Sequence, residues 1–171
     1  MILHLPSDAL VVLIGPSGAG KSTFAARKFR TTQILSSDAL RAMVADDAND
    51  QTATDAAFEL LHTALGMRLA RRRLTVVDAT SVEAWARERL LAVARRFQRP
   101  AAAIVFDLPL ALCLERNAAR VDRQLPAAAI RRQHARMGAS LDGLGLEGFA
   151  PITIFSTTEA IEKTRVELMP A

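Results

Sequence analysis

The sequence predicts an α/β fold in which a five-stranded parallel sheet carries helices on both faces. Three observations lead there. Short apolar runs rich in β-branched residues recur along the chain. Longer stretches with helical patterning separate them. The chemistry-bearing motifs fall directly after these runs, where parallel sheets gather ligands at the carboxyl ends of their strands.

The runs Ala9–Ile14, Gln33–Leu35, Leu74–Val77, Ala102–Phe106 and Ile152–Phe155 read as strands buried on both sides. Helices are expected near 21–29, 53–72, 83–97, 110–119, 126–141 and 158–168. Another should open at Ser37 and Asp38. Ser81 is expected to cap the helix over 83–97, and Pro100 and Pro126 punctuate the chain. Strand–helix alternation of this kind builds a parallel sheet with crossover helices. No linker, repeat or low-complexity tract interrupts it, so residues 1–171 read as one domain.

Composition excludes several classes. Half of the 171 residues are apolar, which rules out a disordered segment. Cys113 is the only cysteine, so no internal disulfide forms and nothing points to an oxidising compartment. Met1 to Leu13 lacks the basic start of a signal peptide. No apolar run approaches the roughly 20 residues of a membrane helix. A cytoplasmic protein without membrane association is expected. The net charge is +4, and lysine occurs only at Lys21, Lys28 and Lys163. Arginine supplies every other side-chain cation; its planar fork grips phosphate oxygens in pairs, although a GC-rich genome produces the same bias.

Gly15-Pro16-Ser17-Gly18-Ala19-Gly20-Lys21-Ser22 fills every position of the phosphate-binding loop G-x-x-x-x-G-K-[ST], between a strand and a helix. Its glycines let successive N–H groups face one anion, and the helix N-terminus adds a positive dipole end. Gly15, Ser17, Gly18, Ala19, Gly20, Lys21, Ser22 and Thr23 are therefore the candidate nucleotide-binding residues. Lys21 is expected on the β- and γ-phosphates and Ser22 on Mg²⁺. ATP or another nucleoside triphosphate with Mg²⁺ is the expected cofactor pair.

Asp38 follows the second strand and stands at the ligand edge of the sheet. Two readings stand together: a helix cap, shared with Ser37, or a general base for an acceptor hydroxyl. Arg41 lies on the same helix face as Asp38. It is either a solvated arginine or a partner for an acceptor that carries its own phosphate. Asp46 to Gln51 form a polar loop at the mouth of the site. Leu74 to Asp78 is an apolar strand ending in an acid, which places Asp78 near Mg²⁺ or behind Lys21 and Ser22. Arg116, Arg120 and Arg123 fall on one stripe if their helix persists. They read as a lid over the transferring phosphate, or as a solvated face paired with Glu115 and Asp122. Arg131, Arg132 and Arg136 extend the basic character onto the next helix and suit a nucleic-acid backbone.

Together these segments resemble the N-terminal kinase module of bacterial polynucleotide kinase-phosphatase, an enzyme of RNA end healing. The resemblance rests on Gly15–Thr23, Ser36-Ser37-Asp38, Asp46–Gln51, Leu60-Leu61-His62, Leu74–Thr80, Cys113–Arg120 and Arg131-Arg132-Gln133-His134. It implies a P-loop kinase fold with a helical, arginine-bearing lid. It implies transfer of the γ-phosphate of ATP to a 5′-hydroxyl end of RNA or DNA, with Asp38 as general base. Arg41 would contact the phosphate next to the reacting nucleotide, with Gln51 among the substrate contacts. Arg116, Arg120 and Arg123 would be lid arginines, Arg116 among the catalytic ones. It also implies phosphatase and ligase modules, joined or separate, as partners. Ser81 departs from the pattern, which has Asn there. The rival expectations are a small-molecule P-loop kinase, acting on a metabolite or antibiotic hydroxyl, and a nucleotide switch with no acceptor.

Overall fold

The computed structural model describes residues 1–121 and 124–170. Five parallel strands form the main sheet: β2 (Leu10–Ile14), β3 (Ile34–Ser36), β4 (Thr75–Asp78), β5 (Ala101–Phe106) and β6 (Ile152–Phe155). Their spatial order is β3-β4-β2-β5-β6, so the strand feeding the phosphate loop lies in the middle. Leu10, Val11 and Val12 of β2 pair with Thr75, Val76 and Val77 on one side and with Ala101, Ala102 and Ala103 on the other. All five strands were predicted from the sequence, each to within about one residue at either end.

The helices are α1 (Lys21–Lys28), α2 (Ser37–Ala45), α3 (Thr54–Ala70), α4 (Ala84–Arg96), α5 (Leu110–Ala118), α6 (Ala127–Ser140), α7 (Leu144–Glu147) and α8 (Thr158–Lys163). Strand side chains alternate between two cores, one on each face of the sheet. Val11, Leu13, Ile104 and Phe106 join Phe24 of α1, Cys113 of α5 and Ile161 of α8. Leu10, Val12, Ile14 and Val105 join Leu61, Leu65 and Leu69 of α3 and Leu90 and Leu91 of α4. Helix α6 serves both: Ile130 enters the first core and Met137 the second. Phe24 meets Phe29, Phe106 and Phe155 with ring centroids 5.5–6.1 Å apart, in edge-on or tilted geometry. This cluster fixes α1, and with it the phosphate loop, against the sheet.

Three expectations are corrected. The helix expected over 158–168 is only α8. It ends as Thr164, fully buried, turns its hydroxyl back to Ala160 O at 2.6 Å. The chain then extends as strand β7 (Arg165–Met169), which pairs in parallel with β1 (Ile2–Pro6) in a separate two-stranded sheet. Leu3 and Leu5 of β1 reach the first core, while Ile2 and His4 face outward; that alternation is a period-2 signal present in the sequence. Ser81 does not cap α4. It is buried in a left-handed turn (φ 49°), and Glu83 occupies the cap position. Finally, Ser36, not Ser37 or Asp38, caps α2, accepting from Ala39 N–H at 3.3 Å.

Candidate active site

The carboxyl ends of β2, β3 and β4, with α2, the start of α3 and the end of α5, enclose a cleft of about 650 Å³. The phosphate loop runs from β2 into α1. Gly15 anchors it by donating to Thr80 O at 3.0 Å. Gly18 requires the absence of a side chain: its φ is 83°, and a Cβ would stand 2.2 Å from the Cys113 carbonyl oxygen. The loop is thus seated on α5. Ser17 to Thr23 all line the cleft.

Lys21 is buried, and its ammonium donates to Gly15 O at 2.8 Å and to Pro16 O at 2.9 Å. Burial pushes its pKa down to about 8, against the opposing pull of the Asp78, Cys113 and Asp38 charges. Ser22 donates its hydroxyl proton to Asp78 at the end of β4. Burial raises the Asp78 pKa, and the Ser22 bond and the Lys21 charge offset part of that rise. Lys21, Ser22 and Asp78 thus meet at the ends of two neighbouring strands, as their positions in the sequence led us to expect. Burial also raises the thiol pKa of Cys113, which packs against the loop.

Asp38 and Arg41 stand together on α2. Arg41 Nη1 donates to Asp38 Oδ1 at 2.7 Å and to Ala48 O at 2.8 Å, which ties the helix to the polar loop that follows it. The Arg41 side chain is only 6% exposed, so the solvated-arginine reading does not hold. Its Nε is buried without a hydrogen-bond partner. Asp38, Arg41 and Gln51 all line the cleft, and Gln51 Nε2 donates to Asn49 O at 3.1 Å.

Arg116, in the last turn of α5, lines the cleft and donates to Thr158 Oγ1 at 2.9 Å. The helix ends at Ala118, so Arg120 stands beyond it rather than on a continuous stripe, yet it too lines the cleft. Asn117, buried at the helix end, causes this turn by exchanging two hydrogen bonds with the Leu125 backbone, at 2.9 and 3.0 Å. Arg123 lies outside the described residues. Arg131 and Arg132 are exposed on α6, whereas Arg136 pairs with Glu83.

Several cleft residues had no role in the sequence reading, among them Gln133, Thr54, Phe58 and Thr158. Gln133 Oε1 accepts the Ser17 N–H at 2.9 Å, occupying a backbone donor of the phosphate loop from α6. Its only signal was its place in Arg131–His134. Thr54 and Phe58 line the cleft from the start of α3, and nothing local marked them.

A phosphate-binding loop seated on a central parallel strand, with a Lys–Ser–Asp cluster and an acid–arginine pair across one cleft, defines a P-loop kinase fold. The sequence matches the AAA domain family over residues 10–142, and the chain belongs to that family. No curated protein sequence matches it. Among solved structures it is similar to a chain of the Pnkp1/Rnl/Hen1 RNA repair complex, at 21% identity and a TM-score of 0.68. That match covers 82% of this chain and 47% of the other, so this chain spans about half the length of that relative. It is also similar to a gluconokinase from Sinorhizobium meliloti 1021 (18% identity, 93% and 88% covered, TM-score 0.57). The APS kinase CysC of Mycobacterium tuberculosis, in complex with AMPPNP and APS, matches at 18% identity with 93% and 94% covered and a TM-score of 0.57. At these identities the likeness is one of fold. No described helix is long and apolar enough to cross a membrane.

Proposed function

We propose that this chain is a polynucleotide 5′-hydroxyl kinase, a single domain that transfers the γ-phosphate of ATP, or of another nucleoside triphosphate, to the 5′-OH end of RNA or DNA. The observation that carries the reading is Arg41. Its guanidinium is buried in the cleft wall beside the candidate base, with Nε lacking a partner. A phosphate next to the reacting hydroxyl would give that cation a second anion beside Asp38. A neutral metabolite offers none.

In this reading the phosphate loop holds the nucleotide through its N–H groups. Lys21 exchanges loop carbonyls for phosphate oxygens. Ser22 and Asp78 suit Mg²⁺: both are hard oxygen donors, and the hydroxyl proton already points to the carboxylate, leaving the Ser22 lone pairs for a cation. Mg²⁺, when bound, neutralises charge on the β- and γ-phosphates. Asp38 takes the proton of the acceptor hydroxyl. That oxygen bonds to the γ-phosphorus as the bond to the bridging oxygen breaks, and the diphosphate leaves. Lys21, Arg116 and Arg120 meet the charge on the transferring group.

The likeness to a chain of an RNA repair complex supports work beside phosphatase and ligase modules in end repair. The alternative is a small-molecule kinase acting on a metabolite or antibiotic hydroxyl. The near full-length likeness to gluconokinase and APS kinase favours it. One assay separates them: transfer of labelled γ-phosphate to a short 5′-hydroxyl oligonucleotide, beside a panel of sugar acids and nucleosides. The oligonucleotide should be preferred, and added salt should weaken the reaction. Preference for a metabolite refutes the proposal. Slow hydrolysis unaffected by any acceptor leaves only a nucleotide switch.

A further inference from the structure

Among the described residues, two buried side-chain polar atoms lack a hydrogen-bond partner: Arg41 Nε and Thr54 Oγ1. Both residues line the same cleft. Buried polar side-chain atoms are almost always partnered, so each of these two residues gains a hydrogen bond if its side chain turns toward a ligand in the cleft. Arg41 has its place in the acceptor reading above. Thr54 does not.

Thr54 opens α3, and Phe58 lies one turn on, at the i+4 position of the same face. The residues that α3 buries, Ala57, Leu61, Leu65 and Leu69, form the adjoining face. Phe58 packs partly on the core and partly lines the cleft. The Thr54 hydroxyl is turned inward while the rest of the side chain is partly exposed. A χ1 rotation brings it to the cleft, and threonine in helices populates two rotamers. An aromatic ring with a hydroxyl one turn away suits a flat heterocycle that has a π-face and a polar edge. Sugar acids have no π-face.

We infer that Thr54 and Phe58 form a subsite for the base of the acceptor's 5′-terminal nucleotide, a proposal that rests on the polynucleotide reading. Phe58 stacks on the base and Thr54 hydrogen-bonds its edge, while Arg41 holds the phosphate on the 3′ side.

The test compares two 5′-hydroxyl oligonucleotides, identical except that one has an abasic 5′-terminal residue. The unmodified protein should favour the base-bearing oligomer. Phe58→Ala should raise its KM by about 10- to 100-fold, the usual effect of losing one stacking ring. Thr54→Val, which keeps the shape, should raise it by about 2- to 10-fold, and Thr54→Ser should restore it. Neither change should alter the KM for ATP or the poorer reaction of the abasic oligomer. Phe58→Leu keeps an apolar side chain on the core, so the same acceptor-specific loss at an unchanged melting temperature separates stacking from folding. Equal losses on both oligomers, or none, overturn the subsite. A wild-type protein that uses both oligomers equally overturns the subsite alone. One that uses neither but phosphorylates a metabolite overturns the polynucleotide reading, and the subsite with it.

Discussion

Replacing Arg41 by Ala removes three things at once. It breaks the 2.7 Å bond to Asp38, breaks the 2.8 Å bond to Ala48 O, and deletes the Nε that has no protein partner. The first two losses loosen α2 and its following loop, so the melting temperature should fall. The third reaches only acceptors that carry a phosphate. A charge-assisted hydrogen bond contributes about 1.5–3 kcal/mol, so kcat/KM for a 5′-hydroxyl dinucleotide or longer oligomer should drop about 10- to 100-fold. A nucleoside without a 3′-phosphate should already be poor and should lose less, only what breaking the Asp38 contact costs both acceptors. Arg41→Lys keeps one charge but not the fork, and should fall between the two. The assay is steady-state transfer on both acceptors with ATP saturating, beside a melting curve. The quantity that matters is the ratio of the two losses, because a fold defect lowers both together. Equal losses mean that Arg41 serves the nucleotide or the fold, and the argument from its unpartnered Nε then fails.

Asp38→Asn keeps a hydrogen-bond acceptor for Arg41 but cannot take a proton. Transfer should fall by about 10²- to 10⁴-fold with nucleotide affinity nearly unchanged; a merely twofold loss would leave Asp38 a structural partner of Arg41. Lys21→Ala should abolish transfer, and near-normal turnover by the folded variant would defeat the kinase reading. In the unmodified protein kcat/KM for ATP should decline as pH rises through about 8, where buried Lys21 loses its proton. Stability should respond in the opposite sense. Between pH 8 and the ordinary lysine value of 10.5, only the unfolded chain keeps that proton, so the cost of burying the charge is relieved as pH rises. A flat activity profile to pH 9.5 would show that Lys21 stays charged. Gly18→Ala forces a Cβ onto the Cys113 carbonyl oxygen. Both nucleotide affinity and melting temperature should drop, and an unperturbed protein would contradict the seating of the loop on α5.

Much of the site was legible because its parts are local. The phosphate loop is one contiguous motif, and Asp38 and Asp78 each follow a strand whose apolar composition marks it. The five strands are visible for the same reason: buried on both faces, they leave continuous apolar runs. What stayed hidden depends on contacts that no motif or helical repeat carries, some of them distant in sequence. Gln133 meets Ser17 across 116 positions. The buried state of Arg41 depends on where the loop at Ala48 folds back. The break after Ala118 comes from Asn117 binding the Leu125 backbone, so a stripe extrapolated on helical spacing could not survive it. The strand at Arg165–Met169 exists because β1 lies beside it, and a partner strand leaves no mark on the segment that it pairs. Sequence periodicity reports the face that an element buries and motifs report local backbone, so both the fold and the position of the phosphate loop were readable. Which side chains line the rest of the cleft, and which of them hold buried polar atoms without a partner, was decided by the way α2, α3 and α6 close over the sheet.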